Sequence, residues 1–292
     1  MRIASAVILG SMLCAQGARA QEVSAKHEVA DEWSESFIDR PLILAPRMVQ
    51  ANLGVDVSSI SDSANSTGET VGAAFDVGIA KSVQAGLALS FPVNPATFGS
   101  AIANVQLGIA DGANLRFDAG VARSGFINGS MDSMSNLYEF GLGVPIKLKL
   151  TDQIAFISGR TGAAGFGRPM ALADGNGGIA FGSNPIYMSD ALFAAGIQNG
   201  VTSYTAGVPV GILIAPHERV AIALRTGYRY VHTGSGDGVG QGLNFVPLGG
   251  DVMVNLPSHF DVGVSADVAG PLGQNYDYLA YRQFMGFAQA RF

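Results

Sequence analysis

The chain has 292 residues and a formal net charge of −6, from 17 Lys and Arg against 23 Asp and Glu. This acidic balance argues against a nucleic-acid-binding protein, which needs a basic face, and no apolar run reaches the roughly 18 residues of a membrane-spanning helix. Charged residues make up 14 % of the chain and glycine is abundant, at 39 residues. Soluble domains carry roughly 25 % charged residues, so the composition disfavours a soluble enzyme.

Residues 1–20 have the three parts of a secretory signal peptide. Arg2 supplies the positive start, an apolar stretch follows up to Cys14, and Ala18-Arg19-Ala20 is a small-x-small cleavage site. Cleavage leaves a mature chain of about 272 residues with a net charge of about −8 and no cysteine, hence no intramolecular disulfide. A lipoprotein anchored at Cys14 is the alternative, which Leu13 disfavours because a small residue is needed there.

Residues 21–44 form an N-terminal segment that is polar and acidic and then turns apolar. We expect a disordered tail on the periplasmic side of the β-structure that follows. A short amphipathic helix over AKHEVADEWSESF, at the periplasmic mouth, is the alternative.

Twelve segments of the remaining chain alternate between apolar residues and small or polar ones, which predicts β-strands. Most have about the 9–11 residues of a tilted membrane strand, or slightly more. The alternation is least clear near Ser158 and Arg160, where we expect a bulge. The segments are 47–58, 70–80, 83–92, 101–110, 114–123, 136–150, 153–163, 201–215, 219–231, 243–256, 259–269 and 279–292.

The connections between these segments alternate between short turns and longer loops, as they do in membrane β-barrels. The loop 164–200 is the longest and is apolar for a loop. Within it, Ser189 followed by DALFAAG predicts a capped short helix that ends near Gly196. The hypothesis is that this loop constricts the mouth of the barrel, and a disordered surface loop is an equal alternative.

The last strand, FMGFAQARF, ends on an aromatic residue, Phe292, which is the sorting signal of bacterial outer-membrane β-barrels. With the alternation and the loop pattern, the mature chain resembles the class of bacterial outer-membrane β-barrel proteins of the porin or putative-transporter type. The stretch IDRPLILAPRM at 38–48 is similar to the lead-in of uncharacterised proteobacterial barrels of the putative-transporter type. The resemblance implies that 45–292 is all-β, a transmembrane antiparallel up-and-down β-barrel of about 12 strands, with 10–14 possible.

A secreted soluble β-sandwich is the alternative fold, because alternation alone does not say which face meets water. Its outer face would normally be rich in Lys and Thr. Here the polar face carries Gly, Ala, Ser and isolated charges, which favours a barrel whose apolar face meets lipid. One outward set is Val49, Ala51, Leu53, Val55 and Val57; the others run in twos from Tyr138 to Leu148 and from Val220 to Tyr230.

The same parity turns charged side chains of both signs toward the lumen. A buried charge must be solvated or paired, so either the lumen is a water-filled channel or the charges pair across it and fill it. Numerous inward glycines leave room, which favours a narrow pore, although they also permit strand curvature. The predicted lumen-lining charges are Arg116, Asp118, Glu139, Lys147, Lys149, Arg225, Arg229, Asp251, Asp261 and Asp267, together with Asp56, Asp76, Arg219 and Arg291.

The sequence shows no catalytic or metal-binding motif: GxSxG is absent, and His27, His217, His232 and His259 are not spaced as metal pairs. We therefore expect no enzyme and no cofactor, but a passive channel or small-solute transporter in the outer membrane of a Gram-negative cell. The alternative is a closed structural barrel whose external loops bind a partner. Expected partners are outer-membrane lipid and lipopolysaccharide, the barrel-assembly machinery and small solutes, with no nucleic acid.

Overall fold

The computed structural model describes residues 33–60, 66–94, 100–124, 135–158, 191–198, 201–233, 241–269 and 281–292. All regular structure in these ranges is β-strand, and none of them contains a helix long and apolar enough to cross a membrane. The strands are β1 (Val49–Ile60), β2 (Ser66–Ala80), β3 (Val83–Asn94), β4 (Ser100–Ala110), β5 (Ala113–Ser124), β6 (Ser135–Gly143), β7 (Ile146–Lys149), β8 (Ile154–Ser158), β9 (Ala191–Gln198), β10 (Val201–His217), β11 (Val220–Thr233), β12 (Gln241–Phe245), β13 (Leu248–Leu256), β14 (Phe260–Ala269) and β15 (Tyr281–Arg291).

These fifteen strands form one closed antiparallel barrel with twelve positions around its wall. Three positions each hold two consecutive strands, namely β6 with β7, β8 with β9, and β12 with β13. The first and last strands pair with each other, and the pairing of β10 with β11 completes the ring. The predicted all-β barrel of about 12 strands is therefore confirmed.

The alternation predicted from sequence fixes which face of the wall each side chain occupies. On β1, Leu53 is 61 % exposed whereas Asn52 is 1 % exposed, and on β15 Phe284 is 55 % exposed whereas Met285 is 3 % exposed. Because strand side chains alternate between faces, the large apolar residues form the outer surface and their neighbours turn to the lumen. A soluble sandwich would instead bury these apolar side chains.

The seventh wall position differs from the sequence prediction. It is filled by β8 and then by β9, which both pair antiparallel with β10. The predicted short helix ending near Gly196 is wrong, because β9 forms an extended strand through this residue. Only Asn199 and Gly200 separate β9 from β10, and Asn-Gly is the preferred two-residue connection of a hairpin. Residues 159–190 lie outside the described residues.

The gap between β8 and β9 lies in the middle of the wall, between two prolines on the neighbouring strands. On one side Gly143 pairs with Ala191 and Ile146 with Ser158, so Pro145 falls opposite the gap. On the other side Pro209 of β10 occupies the corresponding level. Proline has no backbone N–H to donate to a sheet. The described strand is therefore interrupted at a level where neither neighbour has that donor.

The chain before β1 is a structural part of the barrel. Trp33–Met48, here called the plug, lies against the inner wall and contributes five buried apolar side chains. The tail expected from the composition of 21–44 is thus not what the described part, 33–44, forms. The buried plug residues are Phe37, Ile38, Ile43, Leu44 and Met48.

Candidate functional site: the mouth of the lumen at the plug

The plug is held by hydrogen bonds from widely separated strands. The side chain of Gln84 on β3 accepts from the backbone N–H of Leu44 at 2.9 Å, and Gln106 on β4 donates to the carbonyl of Leu42 at 2.6 Å. Across the mouth, Lys147 on β7 donates to the carbonyl of Phe37 at 2.8 Å and also to that of Arg40. These polar contacts fix the plug to the wall without adding it to the sheet.

A buried ion cluster fastens the plug to the last two strands. Arg40 of the plug makes a two-pronged contact with Asp261 on β14, at 2.8 and 3.1 Å. Arg291 on β15 reaches the same carboxylate at 2.5 Å, and Asn255 donates to it at 2.7 Å. Burial, followed by the charge of Arg291, lowers the pKa of Arg40 to about 10. The guanidinium of Arg40 also lies 4.0 Å over the ring of Phe37.

Two exposed ion pairs lie at the rim of the mouth. Asp39 contacts Lys149 at 2.7 Å, and Glu35 contacts Arg219 at 2.9 Å. The hydrogen bond from Lys149 is the main cause that lowers the pKa of Asp39 below its ordinary value. Exposed pairs of this kind contribute only about 0–1 kcal/mol, so the buried contacts are the main attachment.

At Gly78 on β2, the plug backbone passes over the inner face of the wall in close contact with the strand. Its N–H donates to the carbonyl of Met48 at 2.9 Å, and its carbonyl accepts from the N–H of Arg47 at 2.7 Å. A Cβ added at Gly78 would collide with the backbone carbonyl of Ala45. Arg47 adopts a left-handed φ of 73°, which turns the chain from the plug into β1. Glycine is therefore required at this crossing.

The lumen is not uniformly polar, which corrects the sequence expectation. Phe37 and Ile38 of the plug belong to a buried apolar cluster with inward side chains of β8, β10, β11, β13 and β15. The wall of β1–β5 is polar at the same end. The sequence does indicate an apolar inner wall in stretches such as Ile212-Leu213-Ile214-Ala215, where both faces of the strand are apolar. The wall members of the cluster are Ala155, Ile157, Leu213, Ala215, Ala221, Ala223, Met253, Met285 and Phe287.

Several of the predicted lumen charges pair along the wall with neighbouring strands. Arg225 on β11 contacts Asp251 on β13 at 2.6 Å and Asp267 on β14 at 3.0 Å. Arg116 and Asp118, two apart on β5, contact each other at 3.2 Å. Such pairing satisfies buried charges without spanning the lumen.

The remaining predicted charges fall into three groups. Asp76 and Arg229 are buried, and Asp56 accepts a hydrogen bond from Gln283. Lys149 and Arg219 lie at the rim beside the plug, with side chains 44 % and 42 % exposed. The side chain of Glu139 lies outside the described residues.

The inward glycines make room for neighbouring side chains. A Cβ at Gly86 would collide with the carboxylate of Asp76, and one at Gly249 with that of Asp267. At Gly263 it would collide with the ring of Phe287. The expectation that these glycines leave open space is therefore too simple, because side chains of adjacent strands lean over them.

Within the described ranges, no group of three or more His, Cys, Asp and Glu side chains is arranged to hold a metal ion. His232 lies at the end of β11, with its ring stacked 4.8 Å from that of Tyr204. His217 and His259 lie beside the short turns that follow β10 and β13.

No protein-family model and no curated protein matches the sequence. Among solved structures, the fold is similar to the translocator domain of the autotransporter NalP from Neisseria meningitidis, with a TM-score of 0.50 and 9 % identity, over 93 % of this chain and 94 % of that one. A KdgM porin aligns with a TM-score of 0.45 and 6 % identity, over 82 % of this chain and 99 % of the other. At such identities the likeness concerns the fold alone, which is that of outer-membrane β-barrels.

Proposed function

We propose that this protein is an outer-membrane channel for small solutes, closed at its periplasmic end by its own plug. The observation that carries the proposal is the nature of the closure. The mouth is filled by a separate segment, Trp33–Met48, that is hydrogen-bonded to β2, β3, β4, β7 and β14. A wall that is complete without its plug suits a conduit that opens and closes.

The plug and the wall are separable in energetic terms. The ring of strands closes through its own backbone ladders, including the pairing of β10 with β11. Most plug attachments are individual side-chain hydrogen bonds, each worth about 0.5–1.5 kcal/mol, plus the burial of Phe37 and Ile38. Loss of the plug would therefore cost contacts at the mouth while leaving the barrel ladder intact.

With the plug displaced, the lumen offers solutes two different surfaces. The wall of β1–β5 carries amide and carboxylate side chains, among them Asn52, Asp76 and Asn104. The wall from β8 to β15 carries the apolar cluster that Phe37 and Ile38 cover. Solutes would cross by diffusion, with selectivity set by the charged inner residues. Phe292 would direct insertion by the barrel-assembly machinery into a membrane that contains lipopolysaccharide.

The test is the conductance of purified protein in planar lipid bilayers. We compare residues 21–292 with the same chain lacking 33–44, and expect brief, rare openings in the first and a steady conductance in the second. Arg219→Gln is the matched control, because it removes only an exposed contact with Glu35 and should leave the plug in place. A folded plug-deleted protein that carries no current contradicts the channel.

A closed structural or interaction barrel is the second candidate. The observation in its favour is that neighbouring side chains, such as those of Asp76, Asp267 and Phe287, occupy the space over inward glycines. In that case the external loops would bind a partner such as lipopolysaccharide. The plug-deleted chain separates the two candidates, since a structural barrel stays silent without its plug.

A further inference from the structure

A cleft of about 590 Å³ lies at the periplasmic mouth, between the plug and the wall. One side is formed by residues 38–43 of the plug. The other side is formed by the turns that follow β2 and β4, the start of β5, and β7. Clefts of this size accommodate small-molecule ligands. Because the plug supplies one side, the complete cleft exists only when the plug is in place.

Several hydrogen-bond donors line this cleft, among them Asn114, Lys147 and Lys81. Asn114 on β5 is 4 % exposed, and its side-chain nitrogen has no hydrogen-bond partner among the described residues. Lys147 uses two of its donors on the plug carbonyls of Phe37 and Arg40, and an ammonium group has three. Lys81 lies at the rim in the turn after β2.

The acidic residues at the cleft do not neutralise its positive charges. Asp39 is paired with Lys149 at 2.7 Å. The remaining carboxylate, that of Asp111, faces two remaining lysines, Lys81 and Lys147. These groups together leave a net positive charge at the cleft. A buried amide N–H and an ammonium group that line the same cleft suit an acceptor that carries negative charge.

We propose that this cleft binds a small anion, a phosphate or a carboxylate, through Asn114, Lys147 and Lys81. The inference rests on the proposed function, because it assigns a regulator to the plug. An anion that contacts both plug and wall binds the closed form alone and therefore lowers the probability of opening, since a ligand shifts an equilibrium toward the state that it binds.

The test is isothermal titration of the mature protein with inorganic phosphate, in a maltoside detergent and at constant ionic strength. We expect one saturable site in the unmodified protein, and affinity weaker by about tenfold in both Asn114→Leu and Lys81→Gln, in line with the loss of a charge-assisted hydrogen bond. Arg219→Gln is the control: it removes a positive charge from the same rim but does not line the cleft. Absent binding, or equal weakening in the control, overturns the proposal.

Two further arms locate the ligand and its dependence on the plug. The chain lacking 33–44 should bind phosphate at least about tenfold more weakly, since half of the site is gone. Unchanged affinity overturns the role of the plug.

The second arm compares phosphate binding in vesicles of phosphatidylglycerol and of phosphatidylcholine. Weaker binding in phosphatidylglycerol identifies a lipid headgroup as the natural anion, and equal binding identifies a soluble anion; either result supports the site. If phosphate binds while the plug-deleted chain carries no current, the anion site stands and the channel fails.

Discussion

At the scale of single residues, the seat of the plug on the wall depends on the missing side chain of Gly78. The plug backbone crosses β2 so closely that the carbonyl of Ala45 occupies the place of a Cβ. Gly78→Ala should push the plug away from the wall without removing any plug residue. We expect a several-fold higher probability of opening in bilayer recordings, while the barrel itself stays folded.

Gly286→Ala is the matched control for this substitution. Gly286 lies on β15 and faces outward, and a Cβ there meets nothing within 4 Å. The same change of one methyl group should leave the opening probability as it is in the unmodified protein. Equal effects of the two alanines would contradict the crossing of the plug over Gly78.

Residue types alone predicted the two faces of the wall, but not the contacts among inward side chains. The parity placed Arg225 and Asp267 on the inner face, because alternation is a local property of each strand. Their contact depends on the register between β11, β13 and β14, which the sequence does not display. The role of Arg40 was also missed, since its partner Asp261 lies far away in the chain.

At the scale of elements, β8 and β9 behave as two halves of one strand at the seventh wall position, and a deletion tests this. Extending their registers along β10 leaves one position between Ser158 and Ala191, the level of Pro209. Replacing residues 159–190 with a single residue should therefore give one continuous strand. We expect a folded barrel, measured by circular dichroism and by resistance of the detergent-folded protein to added protease.

Linker length supplies the control for this deletion. Joining Ser158 directly to Ala191, or through two residues, reverses the alternation of one half of the strand and turns its apolar side chains inward. These two variants should fold poorly or lose protease resistance. Equal folding for all three linkers would show that β8 and β9 do not share one strand position.

The sequence before Gly196 predicts a helix where the structure has strand β9, because its residue types favour a helix locally. Ser-Asp-Ala-Leu-Phe-Ala-Ala combines a capping residue with good helix formers, so local propensity favours a helix. Pairing with β6 and β10 overrides that preference. The plug was missed for the opposite reason: Pro41-Leu42-Ile43-Leu44 has no alternation, and only the surrounding wall gives it a place.

At the scale of the whole molecule, the proposed membrane location requires the outward face to meet lipid. Val264 lies in the middle of β14 and is 60 % exposed. Val264→Arg should lower the free energy of unfolding in bilayers by about 2–4 kcal/mol, the cost of a cation at the bilayer midplane. Val264→Leu should change it little. Both values come from denaturant titration in lipid vesicles, and equal stability would place this face outside the membrane.

The central claim, that the plug closes a conducting barrel, is tested most directly by fixing the plug to the wall. Asp39→Cys and Lys149→Cys place two thiols on a rim pair whose native atoms lie 2.7 Å apart. The sole native cysteine, Cys14, is absent from the tested chain, residues 21–292. A short, reducible thiol cross-linker joins them before single-channel recording in a planar bilayer. The account predicts that cross-linking abolishes the openings and that reductant restores them; openings that persist unchanged in the cross-linked protein would contradict it.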